Sequence, residues 1–141
     1  MTKLVKPPVE LKKKVFSKKQ RSLSNFSKGI QAEELALTFL VKKGYLLLEK
    51  NLSFGNCELD LIMLDQQFDE IVFVEVKYRK KDDYGDASLA VNQKKLNNMT
   101  RVANSYLRKK QFQKSYRFDI ISVVGNLPQA KIEHFENITW L

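Results

Sequence analysis

A carboxylate stands where a buried strand should carry an apolar side chain. Residues 71–78 read Ile-Val-Phe-Val-Glu-Val-Lys-Tyr, and the unbroken apolar start is that of a strand covered on both faces. Side chains alternate along a strand, so Phe73, Glu75 and Lys77 share one face. An unpaired buried carboxylate costs several kcal/mol, and Glu75 therefore needs a cation, either Lys77 or a metal ion. The preceding apolar segment repeats the oddity. In Glu58-Leu59-Asp60-Leu61-Ile62, alternation predicts Glu58 and Asp60 on one face and the leucines on the other. If the two segments pair as a hairpin, Asp60 and Glu75 face the same side. Two carboxylates about 5 Å apart repel by roughly 3 kcal/mol at an effective dielectric of about 20. A proton on one of them, or a cation between them, relieves that repulsion. Oxygen ligands suit a hard ion such as Mg²⁺, and a lysine beside it can stabilise a hydroxide nucleophile or charge developing on a phosphate. Glu33 offers a third carboxylate at the border of a helix's apolar face, whereas Glu34 points to solvent. Each residue also has a plainer reading: a solvated border position for Glu33, a solvated edge strand for Glu58 and Asp60, a structural ion pair for Glu75 and Lys77.

The elements that must position these residues follow from periodicity. Ser24 or Asn25 can cap a helix from about residue 26, with Ala32, Leu35, Ala36, Phe39 and Leu40 as its apolar face. Lys42, Lys43 and Gly44 end it. Strands are expected over 45–54, 58–64 and 71–78, the first two joined at Gly55-Asn56. A charged loop, 80–86, leads to a long helix over 92–110, whose apolar face is Leu96, Met99, Val102, Ala103, Tyr106 and Leu107. Strands over 117–124 and 131–135 follow, the last at an edge. Short turns make the first three strands antiparallel, and the long helix can join the third and fourth as a parallel pair. The expected architecture is α/β: a mixed sheet flanked by helices in the order α-β-β-β-α-β-β.

Charge narrows the class of partner. The chain has 141 residues, with 25 Lys and Arg against 16 Asp and Glu, a net +9. Residues 1–24 hold eight of those cations and one acid, a net +7, which leaves +2 for the remainder. Residues 1–24, with Pro7-Pro8 and little apolar periodicity, read as a disordered basic tail, and residues 25–141 as a single domain. Such a tail is either a non-specific grip on phosphates or a solubilising extension. One cysteine, Cys57, excludes an internal disulfide framework, and one histidine, His134, excludes a His-rich metal site. No apolar run reaches the ~18 residues that span a bilayer, and the Lys-rich start lacks the apolar segment of a secretory signal. The expected setting is cytoplasmic, without a membrane partner.

The carboxylates carry a resemblance. The Asp-(x)14-Glu-x-Lys spacing of Asp60, Glu75 and Lys77, after a helix bearing Glu33, resembles the PD-(D/E)XK nuclease superfamily. More narrowly, the sequence is similar to the YraN-type family of endonuclease-like bacterial proteins. The similarity runs through Gly29-Ile30-Gln31-Ala32-Glu33, Glu58-Leu59-Asp60-Leu61-Ile62, Phe73-Val74-Glu75-Val76-Lys77 with Arg79, Gly85, Ala90-Val91, Lys94 and Arg117-Phe118-Asp119, about residues 25–135 in order. It implies a restriction-endonuclease-like fold, Mg²⁺ or Mn²⁺ held by Glu33, Asp60 and Glu75, and phosphodiester hydrolysis in DNA or branched nucleic acid by Asp60 and Glu75 with help from Lys77. The family's usual glycine before Glu-x-Asp is replaced by Cys57, which reads as a small packing residue.

Nucleic-acid contacts are expected from Gln93 and Lys94 at the start of the long helix, from Arg79 on the Glu-x-Lys strand, and from Arg101. Lys94, Arg101 and Arg108 recur every seven residues as one basic stripe, about 10.5 Å between neighbours. Two alternatives stand beside the nuclease: a nucleic-acid-binding protein without catalysis, held by its basic tail, and a protein docked on an acidic partner.

Overall fold

The computed structural model describes residues 27–80 and 92–138. The expected tail, the capping pair Ser24 and Asn25, the loop positions Lys81, Asp82, Asp83, Gly85, Ala90 and Val91, and Trp140 lie outside them. The described elements are helix α1 (residues 27–42), strands β1 (Tyr45–Phe54), β2 (Cys57–Asp65) and β3 (Glu70–Arg79), helix α2 (Gln93–Lys110), and strands β4 (Tyr116–Val124) and β5 (Lys131–Phe135). The strands form one five-stranded sheet in the order β1-β2-β3-β4-β5. β3 and β4 are parallel, joined across α2, and every other neighbouring pair is antiparallel. This is the mixed α/β arrangement the alternation and the turn lengths called for.

Each face of the sheet is covered by one helix. Ala32, Ala36 and Leu40 of α1 pack with Leu61, Met63, Val72, Val74, Ile121 and Val123. On the other face Leu96, Met99, Val102, Ala103 and Tyr106 of α2 pack with Leu59, Ile62, Ile71, Phe73, Phe118 and Ile120. β3 is therefore a central strand, and Ile71, Val72, Phe73 and Val74 are all fully buried. The Asn92 side chain accepts a hydrogen bond from the Lys95 N–H and caps α2. Arg108, Lys109 and Lys110 sit in its last turn, where cations suit the carbonyl end of a helix.

β2 departs from the expected alternation. Leu59 packs on the α2 face, but Leu61 packs on the α1 face. The β1–β2 register passes from Lys50↔Leu61 to Leu52↔Leu59, and Asn51, opposite Asp60, has a φ of +51°. A left-handed residue breaks the pleat there, and asparagine tolerates that conformation well. β2 lies between β1 and β3 over Leu61–Asp65, but at Glu58 and Asp60 it pairs with β1 alone; Glu58 is exposed there, as the edge-strand reading has it, and Asp60 is half-buried. The β2–β3 pairing ends at Leu61↔Val74. Beyond it the two strands run on apart, β2 paired to β1 and β3 to β4. Asp60 and Glu75 are the first residues past this fork.

Candidate functional site

The fork brings four carboxylates within electrostatic reach of one another. Asp60 Oδ2 accepts a hydrogen bond of 2.7 Å from the Val76 N–H, so its side chain spans the gap between β2 and β3. Burial pushes the Asp60 carboxyl up to about 7. The charge of Glu75 adds to the rise, the Val76 N–H opposes it, and Glu33 and Glu58 raise it further. Glu33, half-buried on α1, is also raised, first by burial and then by Glu58, with Lys50 acting the other way. Glu34 is exposed and bonds Lys50 at 2.7 Å, as its solvent-facing position predicted.

Glu75 has a partner other than the two foreseen. Its Oε1 lies 3.1 Å from the Nζ of Lys95, one turn into α2. Lys77 makes no ion pair among the described residues, so the structural Glu75–Lys77 pair is not formed. Lys77 keeps the α2-side face shared by Phe73 and Glu75, because β3 stays in unbroken register with β4 from Ile71 to Arg79. Sequence spacing missed Lys95 because it relates residues within one element, and this contact joins a strand to the helix across it.

The other expected contacts are dispersed. Gln93, Lys94 and Arg101 are exposed on α2, with Gln93 bonding Asn97. Arg79 is half-buried at the end of β3, where its carbonyl accepts from the Gly125 N–H. At Gly29 no described atom lies within 4 Å of where a Cβ would stand. Cys57 packs against the α2-side core, as a small packing residue should.

Among the described residues no three His, Cys, Asp or Glu side chains are grouped closely enough to hold one ion between them. Mg²⁺ does not require such a cage. It keeps several waters and is commonly held by one or two carboxylates. Asp60 and Glu75 fit that requirement, because the donors are hard oxygens, and burial first, with the charge of Glu75 second, raises the Asp60 carboxyl to about 7. A cation relieves what the proton now relieves.

That protonation has a measurable consequence. The folded-state pKa of Asp60 lies above its ordinary value of 3.8, so the folded protein binds more protons than the unfolded chain between about pH 4 and pH 7. Stability falls as pH rises through that window. Asp60→Asn removes the penalty and should raise unfolding free energy at pH 8 by about 2–4 kcal/mol in chelator, with little effect at pH 4. Urea denaturation at the two pH values checks it. Equal effects at both would place Asp60 in a far better solvated environment.

A second buried polar cluster lies on the α1 face at the other end of the sheet. Arg117 Nε donates to Asp119 Oδ1 at 3.0 Å, Nη1 to Asp65 and Glu70 at 3.0 and 3.1 Å, and Nη2 to the Tyr45 hydroxyl at 2.7 Å. Asp119 is fully buried and also contacts His134 Nε2 at 2.7 Å and the Asn137 N–H at 2.9 Å. Burial works against the Asp119 charge, yet the bonds from His134, Arg117 and Asn137 hold its carboxyl below the ordinary value. Burial also works to lower the Arg117 pKa, and the hydrogen bonds and charge of Asp119, with bonds to Asp65 and Glu70, raise it instead. Every buried polar side chain among the described residues finds a partner. Apart from Glu70, which is partly exposed, this cluster is buried, and it ties all five strands to one another.

Comparison with known sequences bears on the site. A family model described as "Uncharacterised protein family UPF0102" matches residues 32–123, a span that contains Glu33, Asp60, Glu75 and Lys77. A UPF0102 protein of Cytophaga hutchinsonii is 38% identical over 103 residues, 73% of this chain and 89% of the relative. One of Geobacter metallireducens is 40% identical over 119 residues, 82% of this chain and 94% of the relative. One of Syntrophomonas wolfei is 38% identical over 110 residues, 77% and 94% of the two chains. No helix among the described residues is long and apolar enough to cross a membrane.

Proposed function

The chain belongs to the UPF0102 family, grouped with the PD-(D/E)XK nucleases, and on that footing we propose that it is a metal-dependent nuclease cleaving phosphodiester bonds in DNA or branched nucleic acid. The observation that carries this reading is the fork between β2 and β3. There burial raises the Asp60 carboxyl to about 7, and the charges of Glu75, Glu33 and Glu58 add to the rise. A fold does not gather negative charge at a strand divergence for stability, because each added carboxylate costs free energy. The arrangement gains from a divalent cation, Mg²⁺ or Mn²⁺, and from a substrate brought to it.

Asp60 and Glu75 would hold the ion, and Glu33 would add a third negative charge near it. A divalent ion bound there supplies Lewis-acid polarisation of a phosphate oxygen and lowers the pKa of a water. Lys77, on the Glu75 face of β3 and free of carboxylate partners among the described residues, donates toward the charge that builds on the phosphate oxygens. Lys95 already sets an ammonium against Glu75, which shows that this position favours positive charge. Gln93, Lys94, Arg79 and Arg101 belong to the reading as contacts to the nucleic-acid backbone, and the cytoplasm as its setting. Incubation of supercoiled and branched DNA with the full chain in Mg²⁺ or Mn²⁺ should give nicks that chelator prevents. No cleavage with either ion on any of these substrates would contradict the proposal.

One observation favours a second reading. The Lys95–Glu75 pair supplies from within the protein the cation that a metal would provide. If that pair is permanent, the protein binds nucleic acid without cutting it, through the +7 carried by residues 1–24. Binding would then depend steeply on salt and vanish when residues 1–24 are removed.

A further inference from the structure

We infer that the groove between the β1–β2 hairpin and α2 is a seat for single-stranded nucleic acid, with an unpaired base stacked on Phe54 and the strand's phosphates on Arg101 and Arg108. The groove has a volume of about 450 Å³ and is lined by Phe54, Arg101, Asn104, Ser105, Arg108 and Lys109. Its composition is that of a nucleic-acid seat: three cations, an amide, a hydroxyl and one aromatic ring. Arg101, Arg108 and Lys109 have no carboxylate partner among the described residues. Phe54 is 51% exposed at the hairpin tip, so the ring presents a face that the protein's own core does not use.

The aromatic ring decides the class of ligand. Bases in a duplex are stacked on one another, and a side chain at a hairpin tip meets only phosphates and groove edges. An unpaired base offers its whole face, and stacking on an aromatic ring contributes about 1–3 kcal/mol per base with little dependence on sequence. Arg101 and Arg108 stand about 10.5 Å apart along one side of α2 and can follow a backbone. Asn104 and Ser105, between them, can donate to phosphate or base. A smaller cavity of about 190 Å³ continues past Phe54 to Glu49 and Tyr106.

The basic stripe continues toward the Glu75 end of α2. Lys94 lies seven residues before Arg101, about 10.5 Å along the axis, and is the neighbour of Lys95, which pairs with Glu75. A strand laid along that stripe from Phe54 runs toward the end of α2 that faces Glu75. This part rests on the nuclease reading, and it narrows the substrate to nucleic acid with an unpaired stretch beside the scissile bond.

Binding can be read without cleavage. A fluorescein-labelled oligothymidylate and a labelled hairpin duplex are titrated with the full chain in chelator, and anisotropy is followed across a series of salt concentrations. Phe54→Ala should weaken the single strand by about 5- to 100-fold and leave the duplex unchanged. Phe54→Trp should restore single-strand binding. Replacing both Arg101 and Arg108 by alanine should lower the logarithmic salt slope for the single strand by about 1.4, or about 0.7 for each cation removed. Wild-type protein that fails to bind the oligothymidylate, or Phe54→Ala that affects both ligands equally or neither, overturns the inference. If Phe54→Ala behaves as expected but no metal-dependent nicking is found, the groove stands and the nuclease reading falls. If nicking is found and Phe54→Ala has no effect on single-strand binding, the reverse holds.

Discussion

Asp60→Asn and Lys77→Ala should each lower metal-dependent nicking by at least about 10²-fold, the scale seen when one preorganised electrostatic contact to a reacting phosphate or acyl group is removed. The two variants act differently. Asp60 gives up a ligand oxygen at the fork while keeping a group that can accept from the Val76 N–H, so the backbone there has no reason to move. It should also be more stable than the wild type at pH 8, and its inactivity could not then be ascribed to unfolding. Lys77 gives up the ammonium on the Glu75 face. Asp69→Asn serves as the control, since Asp69 is exposed and paired with Lys114 at the β2–β3 turn, the opposite end of these strands from the fork. Initial nicking rates on supercoiled plasmid, measured for all three variants, check the assignment. Activity unchanged in both Asp60→Asn and Lys77→Ala would remove these residues from catalysis.

The largest stability loss should come from a residue with no part in that chemistry. Arg117→Met should cost about 3–5 kcal/mol, the usual consequence of deleting one partner from a buried ion network. The guanidinium supplies bonds to Asp119, Asp65, Glu70 and the Tyr45 hydroxyl. Methionine fills much the same volume but leaves Asp119, which is fully buried, and Asp65 without their charge partner. The pH dependence should change with it. Asp119 in the wild type has a folded-state pKa below its ordinary value. Its contribution is therefore present above about pH 4 and is lost as pH falls through the folded value. In Arg117→Met the deficit should be full at pH 7 and shrink in acid, as urea denaturation across pH 3–7 would show. A cost under about 1 kcal/mol at pH 7 would mean that the network is incidental to the fold.

The sheet was legible because its signals are local. Ile71 to Val74 are apolar at successive positions because both helices cover that strand, and the 3.6-residue spacing of Leu96, Met99, Val102, Ala103 and Tyr106 reports the single face by which α2 meets the sheet. The candidate carboxylates were legible for the opposite reason: Asp60 and Glu75 interrupt patterns that burial would otherwise have filled. What escaped the sequence depends on contacts between distant elements. Lys95 reaches Glu75 from the helix across the sheet, and Arg117 gathers Asp65, Glu70 and Tyr45 from three other parts of the chain. The break in β2 that puts Leu59 and Leu61 on opposite faces, beside the left-handed Asn51 of β1, leaves no periodic trace. Glu58 and Asp60 were assigned one face by strict alternation, which β2 does not keep there.

Whether the fork between β2 and β3 is a divalent-cation site is tested most directly by calorimetric titration with Mg²⁺ and Mn²⁺. Wild-type protein at pH 7 should bind the ion with a heat that varies with the ionisation enthalpy of the buffer, because the proton on Asp60 is displaced. Asp60→Asn and Glu75→Ala should each lose that binding. Identical isotherms for the wild type and both variants would contradict the claim and leave the Lys95–Glu75 pair as a structural contact.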